Sequence, residues 1–412
     1  MKIKLNHRCR NCNSNKIHKL IDFNKVPLAN NLQKNLTKIA IKFELQLVLC
    51  LDCWLVQTTK NIKREKIFNS EYPYLTSTSS TAKKNAFSLY EDINKRFNLK
   101  NKMLLELASN DGYFLENFKN IKSLKIIGIE PTKLPANISR SKGIKTIKAF
   151  FGTELAKKLK KKYKCSDLIV ANNVIAHLSN IHDFVKGMKI MLNKKGTIII
   201  EFQYFVDLVN KNLIDNIYHE HYYYYSLTSI NNLLIKHGLK IYDAEKINTH
   251  GGSLRIFACH LENESIHKTN KFNKMIKKDE TIIKNSSFYR KFQNNYIELN
   301  KNLKIFFNSN KKKKVIGFGA AAKASTFINI FRLSKYNIKY VIDNAETKQG
   351  KYISGTSIKV EHPKNIKIND FDYVVIFAWN LRDEIINFIR KFYRSPKIKC
   401  VTFIPKLKIT KI

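Results

Sequence analysis

Short apolar runs separated by longer amphipathic stretches organise most of the chain. Residues 103–107, 125–129, 167–171 and 195–200 are Leu/Ile/Val-rich runs of strand length, several preceded by polar or glycine turns. The helical spacing between them repeats the β-α alternation of a parallel sheet covered by helices. A helix is expected over 81–97, and another opens at Tyr113. A second alternation starts at Val315-Ile316-Gly317-Phe318-Gly319 and continues through the runs at 340–344 and 372–380. Residues 239–259 read as two strands joined at Gly251-Gly252, and 260–310 as one long helix between the two α/β units. The first 60 residues differ, with one strand-like run at 43–49. The predicted class is α/β: a small N-terminal module (1–60), a linker (61–100), a central Rossmann-like domain (101–260), a helical connector (261–304) and a C-terminal Rossmann-like domain (305–412).

Four of the seven cysteines form two C-x-x-C pairs, Cys9/Cys12 and Cys50/Cys53. Each pair puts two thiolates on one knuckle, and two knuckles together give tetrahedral S4 coordination. That is a closed structural zinc site with no position open for chemistry. The odd cysteine total argues against a disulfide framework. Cys165, Cys259 and Cys400 lie on or beside apolar strand patterns and are read as buried thiols. The N-terminus lacks the apolar region of a secretory signal, and no run of about 18 apolar residues occurs, so a cytoplasmic protein without a membrane span is expected. The net charge of +43 invites a nucleic-acid reading, that of a zinc-containing RNA-binding or RNA-modifying protein. Lys, Asn and Ile are enriched along the whole chain, however, which points to codon bias. The basic runs at 157–162 and 311–314 carry no interleaved aromatic signature. No nucleic-acid partner is expected.

The chemistry-bearing residues gather at strand ends. The turn after the first central strand, Ala108-Ser109-Asn110-Asp111-Gly112, follows Glu106 and lacks G-x-G-x-x-G. Glu130 ends the second strand, where doubly wound folds hold a ribose diol. Asn172 and Asn173 end the next. A glycine-poor acidic loop suits a cationic ligand without phosphate, such as S-adenosylmethionine. In the C-terminal unit, Gly317 and Gly319 open a turn into a helix N-terminus which, with Lys323, suits a diphosphate. Between the units lies Asn216-Ile217-Tyr218-His219-Glu220-His221-Tyr222-Tyr223-Tyr224-Tyr225. Its side chains move or orient protons. His221, titrating near neutrality, is the expected general base, and Glu220 or Tyr218 would orient it or relay protons. Tyr72 and Tyr74, in the polar loop around Pro73, are further hydroxyls for a developing oxyanion. Tyr222 to Tyr225 read as wall and core, and His177, His182 and His237 as structural or solvated.

Glu106-Leu107-Ala108-Ser109-Asn110-Asp111-Gly112 resembles the cofactor loop of the sugar C-methyltransferases, which methylate nucleotide-linked ketosugars for deoxysugar pathways. The zinc pairs, Tyr72-Pro73-Tyr74, Ala171-Asn172-Asn173-Val174, Tyr218-His219-Glu220-His221, His250-Gly251-Gly252-Ser253-Leu254-Arg255 and the stretch from Gly317 to Lys323 match the same family in the same order. Two departures are Ala108, where relatives carry glycine, and His219, where they often carry an acid. The resemblance implies S-adenosylmethionine in the central domain and a structural zinc. It also implies a nucleotide-diphosphate ketosugar, expected to be dTDP-linked, held partly by the C-terminal domain. Gly251, Gly252, Ser253 and Arg255 would lie beside that substrate. The implied reaction is deprotonation at carbon 3, next to a 4-ketone, and methylation of the enolate. O- or N-methylation of a nucleotide sugar is the alternative within the class.

Overall fold

The computed structural model describes residues 7–37, 39–60, 62, 75–394 and 396–412. β1 (Ile17–Pro27), β2 (Lys42–Cys50) and β3 (Val56–Thr58) form an antiparallel meander in the N-terminal module. The central unit contains β4 (Met103–Leu107), β5 (Lys125–Ile129), β6 (Thr146–Ile147), β7 (Ser166–Asn172), β8 (Leu192–Gln203), the two-residue β9 (Tyr223–Tyr224), β10 (Leu239–Ile247) and β11 (Ser253–His260). The C-terminal unit contains β12 (Val315–Phe318), β13 (Tyr340–Ile342), β14 (Lys359–Glu361), β15 (Tyr373–Ile376), β16 (Lys399–Thr402) and β17 (Lys408–Lys411).

The central sheet has the order β10-β11-β8-β7-β4-β5-β6, with β11 antiparallel to both neighbours. Helices cover both of its faces, so β4 and β11 are buried along their whole length. The C-terminal sheet, β14-β13-β12-β15-β16-β17, is parallel except for β17. Its order reverses between β12 and β15, so loops at the carboxyl ends of those strands face a crevice. The N-terminal sheet is β1-β2-β3-β9. Its fourth strand comes from the tyrosine run, through Val56↔Tyr224 and Gln57↔Tyr223. The sheet therefore extends beyond the first 60 residues, and the segment just before β9 is clamped between the two units.

Two predicted helices differ. After Gly112 there is a single 3-10 turn, Leu115–Phe118. The Asn117 side-chain Nδ2 donates to the Tyr113 and Phe114 carbonyls (3.3 and 2.9 Å), competing with a continuing helix for those acceptors. The connector is two helices, Asn270–Ile283 and Ser286–Ser309. The second is capped by Asn285, whose side chain accepts from the Ser287 amide at 2.9 Å, which breaks the run. Asp279 in the first helix is buried and accepts from Tyr204 Oη (2.5 Å) and the Thr228 amide (2.9 Å), fixing the connector to the central unit. Among the described residues no helix is long and apolar enough to cross a membrane.

Candidate active site

The four cysteine sulfurs lie within 4.8 Å of one another. Cys9 to Cys53 is 3.4 Å and Cys12 to Cys50 is 3.5 Å, near the ~3.8 Å edge of a tetrahedron with ~2.3 Å zinc–sulfur bonds. Both knuckles close alike: the Asn13 amide returns to Cys9 O (2.9 Å) and the Trp54 amide to Cys50 O (3.0 Å). Both closing residues are left-handed, at φ 65° and 61°. The donor set and its spacing fit zinc.

β4 runs into a loop that turns at Ala108 (φ 57°), Asn110 (φ 48°) and Gly112 (φ 74°). Alanine pays about 1–2 kcal/mol for a conformation glycine adopts freely. Glu106, Asp111 and Glu130 are all buried around this loop. Glu130 accepts from the Asn110 amide (3.0 Å) and the Thr132 amide (2.8 Å). Asn110 and Asp111 accept from the amides of Thr76 (2.9 Å) and Ser77 (3.2 Å). Burial, and then the neighbouring charges of Glu130 and Asp111, push the Glu106 carboxyl well above its usual range. Burial also raises Glu130, against the opposing bonds from Thr132. Glu106 Oε2, Ser109 Oγ, Asp111 Oδ1 and Asn172 Oδ1 are buried and have no protein partner. Protonation relieves part of the charge of such a buried acidic cluster, and a cation with hydroxyl donors brought to it would satisfy its spare acceptors. The sulfonium, ammonium and ribose diol of S-adenosylmethionine fit that demand.

The segment 218–221 lies between the 3-10 turn Ile214–Asn216 and β9. His221 Nδ1 is 3.0 Å from Asn216 O. A carbonyl only accepts, so Nδ1 carries the proton and Nε2 holds the lone pair. That nitrogen is 3.0 Å from the Tyr218 hydroxyl, which donates to it. Burial, then the charge of His177, holds the imidazole well below its ordinary range, with His250 and Lys323 adding repulsion. The His177 ring centroid is 4.7 Å from that of His221. His177 Nδ1 donates to Glu220 O at 2.7 Å, and burial lowers its pKa to about 4. Glu220 is buried and accepts from the Asn30 amide at 3.1 Å. Its carboxyl is raised by burial. His219 points the other way, its Nε2 donating to Phe43 O (3.2 Å) and Glu44 O (3.3 Å) of the N-terminal sheet. Tyr222 to Tyr225 are all buried. Tyr72 and Tyr74 lie outside the described residues.

At the junction with the C-terminal unit, Trp379 Nε1 donates to Asp215 Oδ2 at 2.7 Å. Lys323 Nζ lies 4.4 Å from the Trp379 ring centroid and 3.2 Å from Asn380 Oδ1. Asp215 is pushed up to about 6 by burial, with Lys323 pulling it back. The same tryptophan covers Gly251 (φ 89°), where a Cβ would fall 2.4 Å from the ring. On Gly252 a Cβ would fall 2.4 Å from Asp207 Oδ2. Gly251→Ala should therefore cost about 1–3 kcal/mol of stability; thermal unfolding checks this, and an unchanged midpoint would show that the two units can separate freely. Next to Trp379 is a cavity of about 480 Å³ whose walls include Asn380, Arg382, Thr402, Lys406 and Lys408. Gly317 lies in β12, against the Phe377 ring, and Gly319 (φ 93°) turns the chain into the helix Ala322–Ile330. Asp343 caps that turn by accepting from the Ala320 amide at 2.7 Å. Ser253 Oγ donates to Thr249 O at 3.1 Å. Arg255 is buried in ion pairs with Glu201 (3.3 Å) and Glu245 (2.9 Å). Glu201 also accepts from Asn85 (3.0 Å), Thr249 (3.1 Å) and Asn173 (3.4 Å), anchoring the end of β7.

Three family models match in succession: "Putative zinc binding domain" over residues 9–68, "Methyltransferase domain" over 82–244 and "C-methyltransferase C-terminal domain" over 248–405. C-methyltransferase NovU of Streptomyces niveus is 26% identical over 392 residues, 94% of this chain and 93% of its own. The protein is an S-adenosylmethionine-dependent C-methyltransferase. Among solved structures, magnesium protoporphyrin IX methyltransferase from Synechocystis PCC 6803 is 10% identical, with a TM-score of 0.34, over 43% of this chain and 79% of its own. An S-adenosylmethionine-dependent methyltransferase from Clostridium acetobutylicum is 13% identical, with a TM-score of 0.34, over 45% of this chain and 93% of its own.

Several residues of this methyltransferase's site escaped the sequence reading. His177 was set aside as structural, although it follows Asn173 at the carboxyl edge of the sheet. Trp379 lies in the apolar run 372–380, where the sequence marks it only as part of a strand pattern. Asp215 and Glu201 had no local signal, because their partners lie in other elements.

Proposed function

We propose that this C-methyltransferase deprotonates a nucleotide-linked 4-ketosugar at carbon 3 and methylates the resulting enolate. One observation carries the reading: His221 donates from Nδ1 to the Asn216 carbonyl and turns its Nε2 lone pair to the Tyr218 hydroxyl, beside the acidic cofactor loop's sheet edge and the C-terminal unit. In the reaction, Nε2 takes the carbon-3 proton and the C–H electron pair moves into the enolate. A tyrosine hydroxyl, that of Tyr218 or of Tyr72 or Tyr74, donates to the enolate oxygen. S-adenosylmethionine, when bound, supplies the electrophilic methyl group that the carbanionic carbon attacks. Glu106, Ser109, Asp111, Glu130, Asn172 and Asn173 would hold this cofactor, its ribose at Glu130. Lys323 and the cavity beside Trp379, walled by Arg382, Lys406 and Lys408, would take the nucleotide diphosphate. Gly251 and Gly252 would lie under the sugar. Ser253 and Arg255 act through the fold, since both side chains already have partners inside the protein.

The test is carbon-3 exchange. Incubating the enzyme with a dTDP-linked 4-ketosugar in D2O without cofactor should replace the carbon-3 proton, followed by NMR. Absence of exchange, with methylation on oxygen or nitrogen, would overturn the reading. Glu130→Ala should weaken S-adenosylmethionine binding about 10- to 100-fold, the value of hydrogen bonds to a charged group. Calorimetric titration measures this, and unchanged affinity would remove Glu130 from the cofactor site.

A further inference from the structure

We infer that Trp379 and Asp215 are positioning residues for the catalytic histidine, so that the C-terminal unit sets the geometry of the base. The inference rests on His221 being that base. Trp379 stands just beyond the carboxyl end of β15 and sends its indole N–H across the junction to Asp215 Oδ2 at 2.7 Å. Asp215 is the middle residue of the turn Ile214–Asn216, all three residues of which are buried. The next carbonyl along, that of Asn216, accepts from His221 Nδ1 at 3.0 Å. The turn between these two bonds has little freedom. The Asn216 amide returns to Leu213 O (3.1 Å) and the Ile217 amide to Ile214 O (3.0 Å). The helix Ala322–Ile330 of the C-terminal unit packs on the same turn. A shift of Trp379 therefore reaches the Asn216 carbonyl with little loss.

The Asn216 carbonyl does two things for His221. It fixes the proton on Nδ1, leaving Nε2 as the base, and it fixes the plane of the ring. Stability alone does not account for the Trp379–Asp215 bond. Asp215 is 2% exposed and its Oδ1 has no hydrogen-bond partner. A buried, partly satisfied carboxylate costs free energy that an apolar side chain would not. The bond does give a fixed relation between the wall of the cavity and the base.

Trp379→Phe keeps an aromatic ring over Gly251 and removes the N–H. Carbon-3 exchange at saturating substrate should fall about 10- to 100-fold, the loss that accompanies a misplaced catalytic group, while the KM for the nucleotide sugar and the affinity for S-adenosylmethionine stay within about threefold. Asp215→Ala should lose as much, and Asp215→Asn, whose amide oxygen still accepts from the indole, should recover most of that loss. A Trp379→Phe enzyme with raised KM and wild-type exchange at saturation would make Trp379 only a wall of the cavity and overturn the inference. Equal activities for Asp215→Ala and Asp215→Asn would overturn it too, even if Trp379→Phe failed to fold. If the wild-type enzyme does not exchange carbon 3, the assignment of the base has failed; if it exchanges and Trp379→Phe exchanges as fast, only the link has.

Discussion

His221→Asn should slow methyl transfer about 10²- to 10⁴-fold, the contribution of a positioned general base. Asparagine can still donate to the Asn216 carbonyl, so the turn Ile214–Asn216 keeps its partner while the lone pair at Nε2 is lost. Carbon-3 exchange and methyl transfer should fall together, and S-adenosylmethionine binding should not change, because the acidic loop is a separate set of residues. Exchange that survives the substitution would place the base elsewhere. The wild-type pH profile gives an independent check. Burial, with the charge of His177, depresses the His221 pKa well below the ordinary histidine range. A depressed pKa keeps the imidazole in its neutral, proton-accepting form as pH falls through 6.5. The acid limb of kcat/KM should therefore lie clearly below 6.5. A limb at or above that value would show that His221 is not the group being titrated.

The parts of this site legible in the sequence were those whose function is local. The C-x-x-C knuckles, the acid ending β5 and the asparagines ending β7 carry their meaning within a few residues. Periodicity and strand ends therefore locate them. The parts that were not legible depend on contacts between elements far apart in sequence. Tyr223 and Tyr224 looked like the wall of a pocket; they are also buried, but as a strand of the N-terminal sheet paired with Val56 and Gln57. Arg255 is expected beside the substrate; its guanidinium is paired with Glu201 and Glu245. No spacing rule reveals such a pairing, because Glu201 lies on β8 and Glu245 on β10, the two strands flanking β11 in the sheet. The connector failed for a different reason. A helical period continues through Lys284 and Asn285, and only the capping bond of Asn285 shows that the helix restarts there.

Stripping zinc, or replacing Cys50 by serine, should abolish methyl transfer while leaving S-adenosylmethionine binding nearly intact. Structural zinc in small modules contributes about 10–16 kcal/mol of apparent binding free energy, which a two-knuckle module cannot replace from its own core. The consequence for catalysis follows from what the module holds. Arg10, between Cys9 and Cys12, bonds to the Thr58 and Tyr222 carbonyls, and its amide donates to Gln57 at 3.0 Å. β3 pairs with β9, immediately after residues 218–221. Phe43, Glu44 and Asn30 hold His219 and Glu220 from the other side. Loss of the knuckles releases both clamps on residues 218–221, whereas Glu106, Asp111 and Glu130 sit in a sheet the module does not build. Methyl transfer should drop at least about 100-fold, as for a misplaced catalytic group, with cofactor affinity measured by calorimetry changing little. Zinc added back to the stripped wild type should restore activity in step with metal content. An apoprotein that methylates at the full rate would show that the central unit holds the segment alone, and that the strand shared by the two units is a packing contact only.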